Sequence, residues 1–136
     1  IRLSDPVKAV KNEMKKLQNK ADIFVLLTHQ GYDLDVEFAK KIDGLDLIVG
    51  SHSQTAIEKP KEINKTLIVQ SGKAGYYVGL VKIKMKRGKV VEKSGKLDTM
   101  KFELPDDPRI IEMIEEYEKK SGRMNHRKKK LLGHDH

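Results

Sequence analysis

The sequence predicts an α/β fold, with a parallel βαβ core and an appended antiparallel hairpin. Two apolar runs of strand length, Ile23–Leu27 and Leu45–Val49, flank a segment of helical period, which is the pattern of a βαβ unit. Between Tyr77 and Leu97 the period switches to two around the turn Arg87-Gly88, which is the pattern of a hairpin with one wet face. The 136 residues suffice for one core, and the 38% hydrophobic content with 5% aromatic makes that core one of Val, Ile and Leu.

Asp5-Pro6 reads as an N-cap followed by proline at the first helical position, where the missing N–H costs nothing. Val7, Val10, Met14 and Leu17 then give one apolar stripe, and the helix is expected to end near Asn19. Ile23–Leu27 is apolar on both faces, as expected of a central, parallel strand. A second helix begins at Asp33 or Asp35, with Val36, Ala39 and Ile42 as its apolar face, and Gly44 ends it before the strand Leu45–Val49. Polar residues and Pro60 make Ala56–Lys65 a surface loop. Thr66–Gln70 is a third strand, and Gly72 and Gly75 mark an exposed connection.

In the hairpin, Tyr77, Gly79, Val81, Ile83 and Met85 alternate with Lys82, Lys84 and Lys86, and Lys89–Leu97 returns as the partner strand. Asp107-Pro108 repeats the cap-and-proline start, and Ile110, Ile111, Ile114 and Tyr117 form the stripe of a last helix ending at Ser121-Gly122. Arg123–His136 contains the self-repelling run Arg127-Lys128-Lys129-Lys130 and is expected to be disordered.

Composition narrows the function classes. No apolar run approaches the roughly 20 residues that cross a bilayer, and there is no signal-peptide pattern. The absence of cysteine excludes disulfides and thiolate metal sites, so any metal uses His, carboxylate or amide ligands. Opening on Ile1 rather than Met, almost directly into a helix pattern, the chain reads as a fragment. The formal charge of +8 fits an anionic partner or a heavily charged surface. Lys82, Lys84, Lys86, Lys89, Lys93 and Lys96 read as a solvated face, and no aromatic residues are interleaved there to stack bases.

Two histidines stand out. His29 and His52 each follow an apolar strand of the βαβ unit, and loops leaving the carboxyl ends of parallel strands are where ligands bind. A lone histidine at a strand end is most often a hydrogen-bonded loop residue. Here both have a nearby glycine, and Gln54 lies two residues beyond His52, so that extended backbone would point both side chains the same way. Asp22, Asp33, Asp35, Asp43 and Asp46 read as helix caps or strand-edge residues, and His126, His134 and His136 as solvated tail residues.

Several spaced motifs resemble one family. Leu27-Thr28-His29-Gln30-Gly31, the stretch from Asp43 to Thr55, and Val69-Gln70-Ser71-Gly72 followed by Tyr77-Val78-Gly79 resemble the second half of the calcineurin-like metallophosphoesterase domain, in its 5′-nucleotidase and UDP-sugar hydrolase branch. The likeness runs from Ala21 to about Tyr117. It implies the C-terminal half of an α/β/β/α four-layer sandwich over residues 1–104, a linker helix over 105–122 and a basic tail over 123–136.

The resemblance also implies a two-metal hydrolase of nucleotides or related phosphate esters, with no catalytic residue in this half. His29 and His52 would bind one metal and Gln54 the other. Many relatives have His where Gln54 stands, and the periplasmic nucleotidase branch uses Gln; Ser51 departs from the more usual Gly. Neutral imidazoles and an amide oxygen suit Zn²⁺ or Mn²⁺. The family's carboxylates come from an N-terminal half carrying Asp-x-His, Gly-Asp and Gly-Asn-His-Asp/Glu motifs, none of which occurs here.

The expected partners are thus a phosphate-ester substrate and that N-terminal half, on the same or a separate chain, in a periplasmic or extracellular protein. The isolated chain is expected to bind metal weakly and to be inactive. The other reading is a non-enzymatic basic module for nucleic acid or an acidic protein, and sulfur-compound hydrolases sharing the scaffold keep a non-phosphate oxyanion ester open as substrate.

Overall fold

The structure, a computed structural model, describes residues 4–122. The tail expectations, including His126, His134 and His136, lie outside the described residues. The described residues divide into two compact units, with the boundary between Lys101 and Phe102.

In the first unit, α1 (Pro6–Leu17) starts where Asp5 Oδ1 accepts hydrogen bonds from the Val7 and Lys8 amides, at 2.9 and 3.2 Å. Three parallel strands follow: β1 (Val25–Leu27), β2 (Leu47–Val49) and β4 (Thr66–Val69), with α2 (Tyr32–Lys41) between the first two. The register aligns Leu26, Ile48 and Ile68 in one row. Ile48 and Ile68 join Phe38, Ala39, Ile42 and Leu45 in the core, and Val7, Val10 and Met14 of α1 pack against it. Each buried aliphatic chain contributes about 1.5–3 kcal/mol, so this layer of helices on a short sheet is the principal source of stability.

Two expectations about this sheet are corrected. Lys61–Ile63 is not loop but β3, antiparallel to β4, because Asn64 and Lys65 both adopt left-handed backbone (φ 48° and 61°) and make a tight hairpin turn. The order β1-β2-β4-β3 puts β1 at an edge rather than at the centre. Val25 and Leu27 on its second face are accordingly 49% and 76% exposed.

That second face of β2 and β4 meets the hairpin β5 (Tyr77–Lys86) and β6 (Lys89–Thr99), which turns at Arg87-Gly88 as expected and carries a bulge between Lys84 and Met85. Leu47, Val49 and Val69 line a cavity shared with Gly79, Leu80, Val81 and Leu97 of the hairpin. Lys93 departs from the solvated face assigned to it. Its side chain is 7% exposed, and its ammonium bonds the Lys65 carbonyl and lies 3.4 Å from Glu62 Oε2, tying β6 to the β3–β4 turn.

The second unit is described by itself. Its helix α3 (Pro108–Ser121) begins at the Asp107 cap and ends at Gly122, whose φ of 64° is the left-handed termination that glycine favours. Ile110, Met113, Ile114 and Tyr117 stay exposed.

Candidate metal centre

Parallel pairing carries the ends of β1 and β2 forward together, and three further hydrogen bonds lock the loops that leave them. The Thr28 amide donates to the Val49 carbonyl at 3.0 Å and the Gly31 amide to the Ser51 carbonyl at 3.1 Å. The Tyr32 amide donates to Ser53 Oγ at 3.1 Å. Gly31 has φ 97°, which lets the chain turn from the His29 loop straight into α2.

These constraints bring the two predicted histidines together. His29 Nε2 and His52 Nδ1 lie 3.4 Å apart, with ring centroids 5.1 Å apart and planes at 72°. Both rings are exposed. Two nitrogens that each sit about 2.0–2.1 Å from one tetrahedral ion are about 3.3 Å apart, so the pair already has the bite of a single divalent cation.

Gln54 is on the same loop and exposed, and among the described residues no hydrogen bond joins its side chain to either histidine. Its backbone is not extended: His52 and Gln54 have φ 78° and 54°, so strand alternation does not govern where their side chains point. Non-glycine residues in left-handed backbone are uncommon and carry strain that the surroundings must hold.

The surroundings do hold it. Gln70, 3% exposed at the end of β4, accepts at Oε1 from Ser53 Oγ and from the Thr55 amide, both at 2.8 Å. Gln70 was legible only as part of a motif, not as a partner of the loop. Asp35 is a second correction. It is not a helix cap but a completely buried carboxylate, and its Oδ1 accepts from Gln30 Nε2 at 3.1 Å. The residue before α2 is Gly31, which makes no side-chain cap at all.

The other aspartates serve local structure. Asp46 Oδ2 accepts from the Phe24 amide at 2.9 Å, and Asp43 Oδ1 accepts from Asn64 Nδ2 at 2.8 Å. Carboxyl groups with depressed pKa lie on other surfaces. The Lys40 ammonium hydrogen-bonded to Glu37, with help from Lys41, holds that carboxyl below its ordinary value, and the Arg109 guanidinium does the same for Asp107.

The donor set therefore fits one divalent ion in type and bite at His29 and His52. No group of three or more His, Cys, Asp or Glu side chains suited to a metal occurs among the described residues. Two imidazoles and an amide carry no charge, so these side chains by themselves do not offset the charge of a bound dication.

No protein-family model matches the chain. It is 32% identical over 94 residues to the trifunctional nucleotide phosphoesterase protein YfkN of Bacillus subtilis, covering 65% of this chain and 6% of that protein. It is 30% identical over 141 residues to an apyrase of Tabanus yao, covering 87% of this chain and 26% of the apyrase. The human 5′-nucleotidase is 29% identical over 126 residues, covering 78% and 22%. Among solved structures, a 5′-nucleotidase precursor from Thermus thermophilus superposes with a TM-score of 0.75 at 24% identity, over 87% of this chain and 27% of that one. The Thermus thermophilus sulfate thiohydrolase SoxB does so with a TM-score of 0.63 at 28% identity, over 68% and 17%.

The chain spans about a quarter or less of the length of these relatives. Its homologues are 5′-nucleotidases, apyrases and metallophosphoesterases, and its parallel sheet with antiparallel hairpin is the fold of the C-terminal part of a calcineurin-like 5′-nucleotidase domain.

Proposed function

We propose that this chain supplies the C-terminal half of a two-metal phosphoesterase acting on nucleotides or related phosphate esters. The 3.4 Å approach of His29 Nε2 to His52 Nδ1 carries the reading, because two loops from different strands deliver ligand-type nitrogens at metal-sharing distance. His29 and His52 would hold one cation, Zn²⁺ or Mn²⁺, and the Gln54 amide oxygen would be a ligand for the second. Bound cations would supply Lewis-acid stabilisation of phosphoryl charge. The chain's own residues orient them and leave the loop side of the sheet open to substrate.

The bridging carboxylate and the leaving-group acid belong to the N-terminal half of the domain, on the same or a separate polypeptide. Residues 1–104 form this half-domain, residues 105–122 lead onward as a linker helix, and the whole works in the periplasm or outside the cell. Among the described residues no helix is long and apolar enough to cross a membrane. The edge position of β1, with Leu27 76% exposed, supports a partner strand there.

The test is hydrolysis of AMP and of bis-p-nitrophenyl phosphate in Mn²⁺ or Zn²⁺, by the chain alone and with an added N-terminal half from a relative. Activity is expected only in the mixture. Turnover by the chain alone at the rate of a full-length relative overturns the half-site. The likeness to SoxB gives a second reading, a sulfur-oxyanion ester as substrate, which is separated by offering the mixture such an ester alongside AMP and measuring which it hydrolyses faster.

A further inference from the structure

Gly50, which precedes the Ser51-His52 segment, is gripped from two sides. A Cβ built on Gly50 would lie 2.1 Å from Asp35 Oδ2 and 3.3 Å from Gln70 Nε2. Both side chains are buried, at 0% and 3% exposure, and neither of these two atoms has a hydrogen-bond partner among the described residues. One is an acceptor and the other a donor, so they are complementary. An unmade hydrogen bond is costly in a buried site, and here two complementary atoms, not bonded to each other, both lie against the position a Gly50 side chain would take.

The opposite ends of the same two side chains reach both candidate ligand loops. Asp35 Oδ1 accepts from Gln30, the neighbour of His29. Gln70 Oε1 accepts from Ser53 and Thr55, the residues that bracket Gln54. The strained segment between them, with His52 at φ 78° and Gln54 at φ 54°, makes its only side-chain anchorage to the sheet among the described residues through Gln70. Strain of this kind persists only where the surroundings over-determine it.

We infer that Asp35 and Gln70 are positioning residues, a buried acid–amide clamp across Gly50 that fixes the His52–Gln54 loop in its left-handed backbone and ties it to the His29 loop. The inference rests on the metal-site reading and extends it. It assigns a role to the one fully buried carboxylate among the described residues, Asp35, whose hydrogen bond is to Gln30 rather than to a candidate ligand.

The clamp is tested on the full chain with Co²⁺ as probe, read by its visible d–d absorption, and with amide hydrogen exchange at Thr55 in the absence of metal. Gln70→Leu is expected to remove the acceptor for the Thr55 amide and so its protection, while the Gly50 amide, bonded to the Val69 carbonyl, stays protected. Gln70→Leu, Asp35→Asn and Gln70→Glu should each weaken Co²⁺ binding by about 10–100-fold, as loss of partners that orient ligands does. The double variant Asp35→Asn with Gln70→Glu reverses donor and acceptor while keeping the bonds to Gln30, Ser53 and Thr55, and is expected to restore affinity.

His52→Ala is the control for the metal site itself. If it abolishes Co²⁺ binding while the clamp variants bind as tightly as the parent, the clamp is wrong and the metal reading stands. If the parent chain binds no Co²⁺, the metal reading fails, and Thr55 exchange alone decides the clamp: unchanged protection in Gln70→Leu overturns it, and lost protection upholds it. A variant that does not fold is recognised by far-UV circular dichroism, and the reciprocal double variant then carries the test: recovery of the fold supports the clamp, and failure to recover overturns it.

Discussion

His29 Nε2 and His52 Nδ1 stand 3.4 Å apart although 23 positions separate the two residues in the chain. Parallel pairing of Leu27 with Val49 places the loop origins side by side, and the Gly31–Ser51 hydrogen bond closes the distance. If one ion takes both nitrogens, the two histidines act as a unit. His29→Ala and His52→Ala should each remove most of the Zn²⁺ affinity, and the double variant should be little worse than either, a non-additivity that isothermal titration measures directly. Additive losses would mean two independent sites.

Gly50 permits the close approach of Asp35, and a methyl group there has nowhere to go. Gly50→Ala places a Cβ 2.1 Å from a buried carboxylate oxygen and 3.3 Å from its Cγ. Overpacking of this kind costs about 1–3 kcal/mol, so urea unfolding should show a lower midpoint. Unchanged stability would mean that Asp35 swings aside freely.

Much of this arrangement can be read from residue order, and the reason for what cannot is physical. The strands β1 and β2, each two residues shorter at its start than the apolar run that contains it, the hairpin turn at Arg87-Gly88 and the two helices that open on Asp-Pro follow from local period and turn chemistry, which depend on neighbours in sequence. Asp35 has the local signature of a first-turn acid on a helix. Its burial depends on Gly50, fifteen positions on, and no local rule contains that. β1 has the composition of a central strand because its second face is apolar, yet pairing leaves it at the edge, with Val25 and Leu27 uncovered. Lys93 looks like its neighbours in the lysine alternation, and only the approach of the Asn64-Lys65 turn draws it inside.

That uncovered edge has a consequence in solution. An apolar edge strand pairs with whatever strand is offered. The chain alone should self-associate with rising concentration in sedimentation velocity, and Leu27→Lys, placing a charge where the side chain is 76% exposed, should reduce it without lowering stability. Monomeric behaviour of the parent chain at high concentration would show that the edge is not adhesive.

The cap of α3 is set up to respond to acid. Asp107 Oδ1 accepts from the Arg109 amide at 2.9 Å, and the Arg109 guanidinium meets Oδ2 at 2.9 Å, which holds the carboxyl below its ordinary value. A carboxyl depressed in the folded state adds stability that is complete above its unfolded value and is lost as pH falls through the depressed one. Helix content read by circular dichroism should therefore decline in that acid range, and Asp107→Ala should lower it at neutral pH and remove that component of the acid response.

The central claim is that His29 and His52 share one metal ion. Zn K-edge X-ray absorption of the chain loaded with a single equivalent of Zn²⁺ tests it most directly. The account predicts two imidazole nitrogens at about 2.0–2.1 Å, with the imidazole scattering cut by half or lost in His52→Ala. A first shell of oxygen alone, or a spectrum that His52→Ala leaves unchanged, would contradict it.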